Sequence, residues 1–154
     1  AQGKTIMTIE PKFVPSNAAT IQIDDFTANI RLIDCVGYVI DAAKGYEDEN
    51  GPRMVKTPWY DEDIPFTEAA EIGTEKVIRD HSTIGIVVTT DGSFGEIKRE
   101  DYVPAENQVI SELKEIGKPF IVVLNSAHPT HPDTEKLAES LREEHDVPVI
   151  PVSV

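Results

Sequence analysis

Three short runs, Ile84 to Thr89, Pro119 to Leu124 and Val147 to Val152, are almost wholly apolar and rich in β-branched residues. Runs of this kind are typical of parallel strands buried on both faces, and parallel neighbours need a long crossover, usually a helix. The segments between them supply it. Val109, Leu113 and Ile116 fall at helical spacing in a segment that opens near Pro104, whose fixed φ suits a first turn, and stops at the capping Gly117. A further helix is predicted over Pro132 to His145 with Leu137 and Leu141 inward, and an earlier one carries Phe66, Ala70, Gly73 and Val77 on one face. Upstream, Thr20 to Asp24 alternates with period two and Asn29 to Ile33 follows a turn around Asp25, which reads as an antiparallel hairpin. Together these elements predict an α/β fold with a mostly parallel sheet, right-handed crossovers and an antiparallel edge hairpin. Ligands of such sheets sit at the carboxyl ends of the strands, so the strand-end residues come first.

A chain of 154 residues with 40% hydrophobic content has the length of one domain, and a single domain over 1–154 is expected. The net charge of −14 argues against direct binding to nucleic acid or to an anionic leaflet, so membrane contact requires a protein partner. No apolar run is long enough to span a bilayer and no signal peptide is visible, which predicts a soluble intracellular protein without direct membrane insertion. The one cysteine, Cys35, excludes an internal disulfide and reads as a small packing residue.

The strand Ile30 to Asp34 ends in Asp34-Cys35-Val36-Gly37. A strand ending in Asp-x-x-Gly is how Ras-like P-loop NTPases meet Mg²⁺ and the terminal phosphate. Asp34 is the candidate Walker B carboxylate for the metal, and Gly37 the backbone N–H that meets the γ-phosphate. The long aperiodic stretch from Tyr38 to Ile64 then reads as an enlarged switch II, or as an insertion without mobility. Thr8 is the candidate threonine that closes over the Mg²⁺ and the γ-phosphate, with Thr5 second. Gly3-Lys4-Thr5 imitates the tail of a Walker A motif, but no strand and first glycine precede it and Pro11 forbids a normal helix interior, so it is rejected as a P-loop. The fold is thus expected to be a fragment that lacks the first strand, the P-loop and the first helix.

After the strand Phe120 to Leu124, GTPases carry Asn-Lys-x-Asp, whose aspartate reads guanine. Here the residues are Asn125-Ser126-Ala127-His128. Asn125 is kept, while Ser126 and His128 replace the lysine and the aspartate, which predicts ATP or no base preference. Ser153 falls where GTPases have a small turn over the base. Thr90-Asp91-Gly92-Ser93 also ends a strand at the binding edge, with turn chemistry as its simpler reading. His128 and His131 read as turn and N-cap residues, not metal ligands.

The segments Gly3 to Thr8, Glu10 to Pro15, Asp34 to Tyr38, Lys44 to Met54 and Thr57 to Tyr60 closely resemble the stage IV sporulation protein A family, coat-morphogenesis ATPases of endospore-forming bacteria. The likeness continues through Glu68 to Thr74, His81 to Gly85 and Gly117 to Phe120. It implies an ATPase related to translation-factor GTPases, with ATP and Mg²⁺ as ligands, that couples hydrolysis to self-assembly into a static polymer. That polymer forms the basement layer of the spore coat, in the mother-cell cytoplasm at the outer forespore surface. The resemblance makes Asp34 the Walker B aspartate and Thr8 the sensor threonine, with Ile9 where a second threonine is expected. It also implies a small amphipathic membrane-anchoring peptide and other coat proteins as partners, engaged through regions outside these residues. Two other readings stay open on the residues, a GTPase-type regulatory switch and a scaffold without turnover.

The isolated 154-residue chain is expected to be inactive and to bind Mg-ATP more weakly than micromolar, because no complete phosphate-cradling loop occurs in it. Titration calorimetry checks this, and micromolar affinity would return the cradling role to Gly3-Lys4-Thr5 or another loop.

Overall fold

A computed structural model describes residues 12–154; the threonine candidates Thr5 and Thr8 lie outside the described residues. The order of elements is β1 (Lys12–Ile23), β2 (Phe26–Asp34), β3 (Glu47–Asp48), β4 (Gly51–Pro52), β5 (Met54–Thr57), β6 (Tyr60–Pro65), α1 (Phe66–Lys76), β7 (Gly85–Thr90), α2 (Arg99–Ile116), β8 (Phe120–Asn125), α3 (Pro132–His145) and β9 (Val149–Val152). The three apolar runs form one parallel sheet in the order β7-β8-β9. Gly85 is paired with Phe120 and Thr90 with Asn125, and Val122 is paired with Val149.

Strand alternation decides which side of this sheet is covered. Val87, Val122, Leu124 and Val149 turn one way and pack in a single cluster with Ile110 and Leu113 of α2 and Ala138 and Leu141 of α3. Both crossover helices therefore lie on the same face. Ile86, Val88 and Ile150 turn the other way and are 51%, 65% and 46% exposed. Apolar pattern alone predicts burial on both faces, but only one has a helical cover among the described residues.

The hairpin forms as predicted, with β1 and β2 antiparallel and the turn at Asp24, whose φ of 52° is tolerated by aspartate. Its ladder slips between Val14 and Ala19, around Pro15, which has no N–H to donate. The structure corrects the expected edge position. Among the described residues β1 and β2 pair only with each other, and the chain from Cys35 to Ile84 supplies no strand to β7.

That intervening stretch is not structureless. It holds two small ladders, β3 with β4 and β5 with β6, and Arg53 ties them to α1. The Arg53 N–H donates to Tyr46 O at 2.9 Å, the Arg53 carbonyl accepts from Phe66 N–H at 2.7 Å, and its guanidinium lies 5.1 Å from the centre of the buried Phe66 ring. α1 buries Phe66, Ala69, Ala70, Gly73 and Thr74, then widens into a π-helical turn over Val77–His81. Ser82 closes that turn by donating its N–H to Val77 O and its hydroxyl to Ile78 O.

α2 ends as predicted at Gly117, whose φ of 74° lets its N–H reach Leu113 O and Lys114 O. Its start is five residues earlier than Pro104. The Pro104 ring costs one backbone bond inside the helix, and other interactions offset it. Glu100 and Asp101 sit favourably in the first turn, and the Arg99 guanidinium donates at 2.7 Å to the buried Glu106 carboxylate two turns on. α3 covers Pro132–His145 as expected, with Ala138 and Leu141 buried and Leu137 at the margin of the cluster.

Replacing Glu106 by alanine leaves the mostly buried Arg99 guanidinium without its counter-charge. Loss of about 3 kcal/mol is expected in urea titration of the intact protein, with much of it regained when Arg99 is also replaced by methionine.

Candidate functional site

Asp34 is the last residue of β2, opposite Lys12 in the ladder, and its carboxylate is exposed. The backbone beyond it turns sharply. Gly37 has φ 75°, while an added Cβ would meet nothing within 4 Å, so glycine is required here by conformation and not by space. The Gly37 N–H donates to Thr74 Oγ1 at 3.2 Å, and the same hydroxyl is bonded to the Cys35 thiol. Burial pushes the pKa of half-buried Cys35 up, in keeping with a packing role. Tyr38 donates its hydroxyl to the Glu112 carboxylate of α2, and burial with the neighbouring Glu115 charge raises the pKa of Glu112. The Asp-x-x-Gly segment is thus held from two sides, by α1 through Thr74 and by α2 through Glu112.

The second group of predicted residues meets at the carboxyl ends of β7, β8 and β9. Asn125 accepts from Val154 N–H on Oδ1 at 3.0 Å, which brings the Ser153 turn beside it. Ser126 donates its N–H to Val152 O at 2.8 Å, and Asp91 N–H reaches Asn125 O. The Ser126 side chain is fully buried, and its hydroxyl accepts from His128 N–H at 3.0 Å. It shapes the loop from within. His128 and Ser153 are exposed. His131 caps α3, its Nδ1 accepting from Asp133 N–H at 3.2 Å.

Asn125, Ser126, His128 and Ser153 are brought together, whereas no hydrogen bond among the described residues links them to Asp34 and Gly37. Thr8 lies outside the described residues. Thr74 and Glu112 carry no sequence signal, since a threonine on an inner helix face and a glutamate in an amphipathic helix belong to no motif. Only their distant partners reveal them.

No group of three His, Cys, Asp or Glu side chains gathers among the described residues. Mg²⁺ carried on a nucleotide needs only one or two carboxylates besides phosphates and water, and the single exposed Asp34 suits that requirement. No described helix is long and apolar enough to cross a membrane.

A parallel sheet with loops gathered at its carboxyl edge fits a nucleotide-binding α/β domain. The Asp34 to Tyr38 turn is held away from that edge, at Thr74 of α1 and at Glu112 near the end of α2 that leads into the start of β8, so the expected delivery of Asp34 to the carboxyl edge is corrected. The comparison with known sequences is specific. The profile described as "Stage IV sporulation protein A, ATPase domain" matches residues 1–154, and the chain belongs to this family. It is 64% identical over 155 residues to stage IV sporulation protein A of Bacillus anthracis and 63% identical over 155 residues to that of Bacillus subtilis (strain 168), covering 100% of this chain and 32% of each relative. The protein of the same name from Clostridioides difficile (strain 630) is 52% identical over 153 residues, covering 99% of this chain and 31% of that protein. The chain spans about a third of the length of these curated relatives. No solved structure matches it.

Thr74→Val removes the acceptor for Gly37 N–H. Hydrogen exchange at the Gly37 amide should accelerate roughly fivefold, the equivalent of a net hydrogen bond of about 1 kcal/mol, while Thr74→Ser should retain the protection.

Proposed function

We propose that the intact protein is a Mg-dependent ATPase whose phosphate chemistry is served by the Asp34 to Gly37 turn and whose base is met by the Asn125 to His128 loop. The observation that carries this reading is the match of the whole chain to an ATPase-domain family, together with a strand-end carboxylate at Asp34. Asp34 and Thr8 would hold the metal. When bound, Mg²⁺ supplies neutralisation of charge on the terminal phosphates. Gly37 has a single N–H, now directed at Thr74 Oγ1, and it cannot serve a γ-phosphate oxygen at the same time. Nucleotide arrival would therefore release the turn from α1 and reorder the segment that follows, with Tyr38, bonded to α2 through Glu112, as the next point of restraint. Tyr38 stands where related switches carry a glutamine, so it is not a direct counterpart for orienting water.

Base choice follows from the loop. With His128 in place of the carboxylate that pairs with guanine, nothing from Asn125 to His128 rewards GTP over ATP. The family resemblance extends the reading to a self-assembling static polymer at the base of the spore coat, on the mother-cell side of the forespore. An amphipathic membrane-anchoring peptide and further coat proteins would engage regions outside this chain. Its −14 charge is consistent with reaching the membrane through such a partner.

Phosphate release by the full-length protein tests the reading. Asp34→Asn should slow it on the order of 10²-fold, the scale of losing one positioned electrostatic group, and Thr8→Ala should impair hydrolysis more than binding. His128→Asp, at an exposed position, should raise GTP use relative to ATP; Ser126→Lys is no clean companion, since it would force an ammonium into a fully buried place. Absence of phosphate release would leave the scaffold reading, and a tenfold preference of the unmodified protein for GTP would overturn the ATP assignment.

A further inference from the structure

Asp91 follows the last residue of β7, and its carboxylate does more than close a turn. Ser93 donates both its N–H, at 3.0 Å, and its hydroxyl to Asp91 Oδ1. The Ser93 oxygen in turn accepts from Ala127 N–H at 2.8 Å. On the other side Thr134 of α3 donates its hydroxyl to Asp91 Oδ2 at 3.3 Å. With its proton so directed, Thr134 Oγ1 is left to accept from Ser126 Oγ, 3.3 Å away, and Ser126 Oγ accepts from His128 N–H at 3.0 Å. Two relays thus start at consecutive amides of one loop, Ala127 and His128, and converge on one carboxylate.

Every hydroxyl in the two relays has its donor pointing towards Asp91, so the group at their meeting point must accept from both sides. An ionised carboxylate does this and an amide does not, because its NH₂ would face one of two donors. Burial works against ionisation of Asp91, but the hydroxyls gathered around it, with Ser93 and Thr134 donating directly and Ser126 standing behind Thr134, outweigh it and hold its carboxyl below the usual aspartate range.

We propose that Asp91 is a positioning residue that fixes the Asn125 to His128 loop for recognition of the nucleotide base, acting through Ser93 and Thr134. The inference rests on the nucleotide reading above and deepens it. It ties the ends of β7 and β8 and the start of α3 into one base-side frame. That frame makes no hydrogen bond to the Asp34 to Gly37 turn among the described residues, so its effect should fall on the base and not on the phosphates.

The test is calorimetry on the full-length protein with two probes, Mg-ATP and Mg-tripolyphosphate, the second lacking a base. Asp91→Asn should weaken Mg-ATP roughly tenfold, a loss typical of a hydrogen bond to a charged group, and leave Mg-tripolyphosphate unchanged. Thr134→Val should do the same, and Thr134→Ser, which keeps the hydroxyl, should restore wild-type affinity; this pair serves if the Asp91 variant fails to fold. Wild-type affinity for Mg-ATP in both Asp91→Asn and Thr134→Val would overturn the inference alone, as would equal weakening of both probes. Wild-type protein that binds neither probe would overturn this inference together with the ATPase reading.

Discussion

The candidate site depends on the packing of one face of the β7-β8-β9 sheet. Leu124 and Val122 of the central strand are buried against α2 and α3, and that burial sets the depth at which β8 ends. Since β8 is hydrogen-bonded on both sides, its end also fixes the ends of β7 and β9, with Thr90 paired to Asn125 and Asn125 to Val152. Hydrophobic burial here determines position. The polar loops that follow inherit their geometry from strands that cannot slip by one residue without turning Val122 and Leu124 to the exposed face.

The two groups of candidate residues are held at different places and restrained differently. The Asn125 to His128 loop is bonded into the sheet and α3 through Ser126, Thr134 and Asp91, a frame of short side chains with little freedom to lose. The Asp34 to Tyr38 turn has fewer ties, one to Thr74 and one to Glu112. In the proposed reading the more heavily bonded loop would meet the base and the less restrained turn would respond to the phosphates, because a ligand can reorder only what is not already fixed.

Much of this was legible in the residues. The runs at Ile84, Pro119 and Val147 specify parallel strands, though only one of the two faces they predict as buried is covered, and Gly117 specifies a helix end because its positive φ suits glycine. Asn125, Ser126 and His128 were legible as a strand-end loop, but not that Ser126 would be wholly buried, since burial of a hydroxyl depends on partners from α3. The start of α2 was misread because Pro104 was weighed alone, without the Arg99 and Glu106 pair seven residues apart. The hairpin's separation from the parallel sheet and the ladders between Tyr38 and Ile64 were hidden for a similar reason. Both rest on contacts between distant residues, Arg53 with Phe66 among them, that no local period encodes.

Hydrogen exchange on the full-length protein, with and without Mg-ATP, shows whether nucleotide engages both segments. Exchange at the amides of Ala127 and His128 should slow on nucleotide addition, and exchange from Cys35 to Tyr38 should change. Slowed exchange confined to other parts of the protein, with both of these segments unchanged, would contradict the proposed reading of the site.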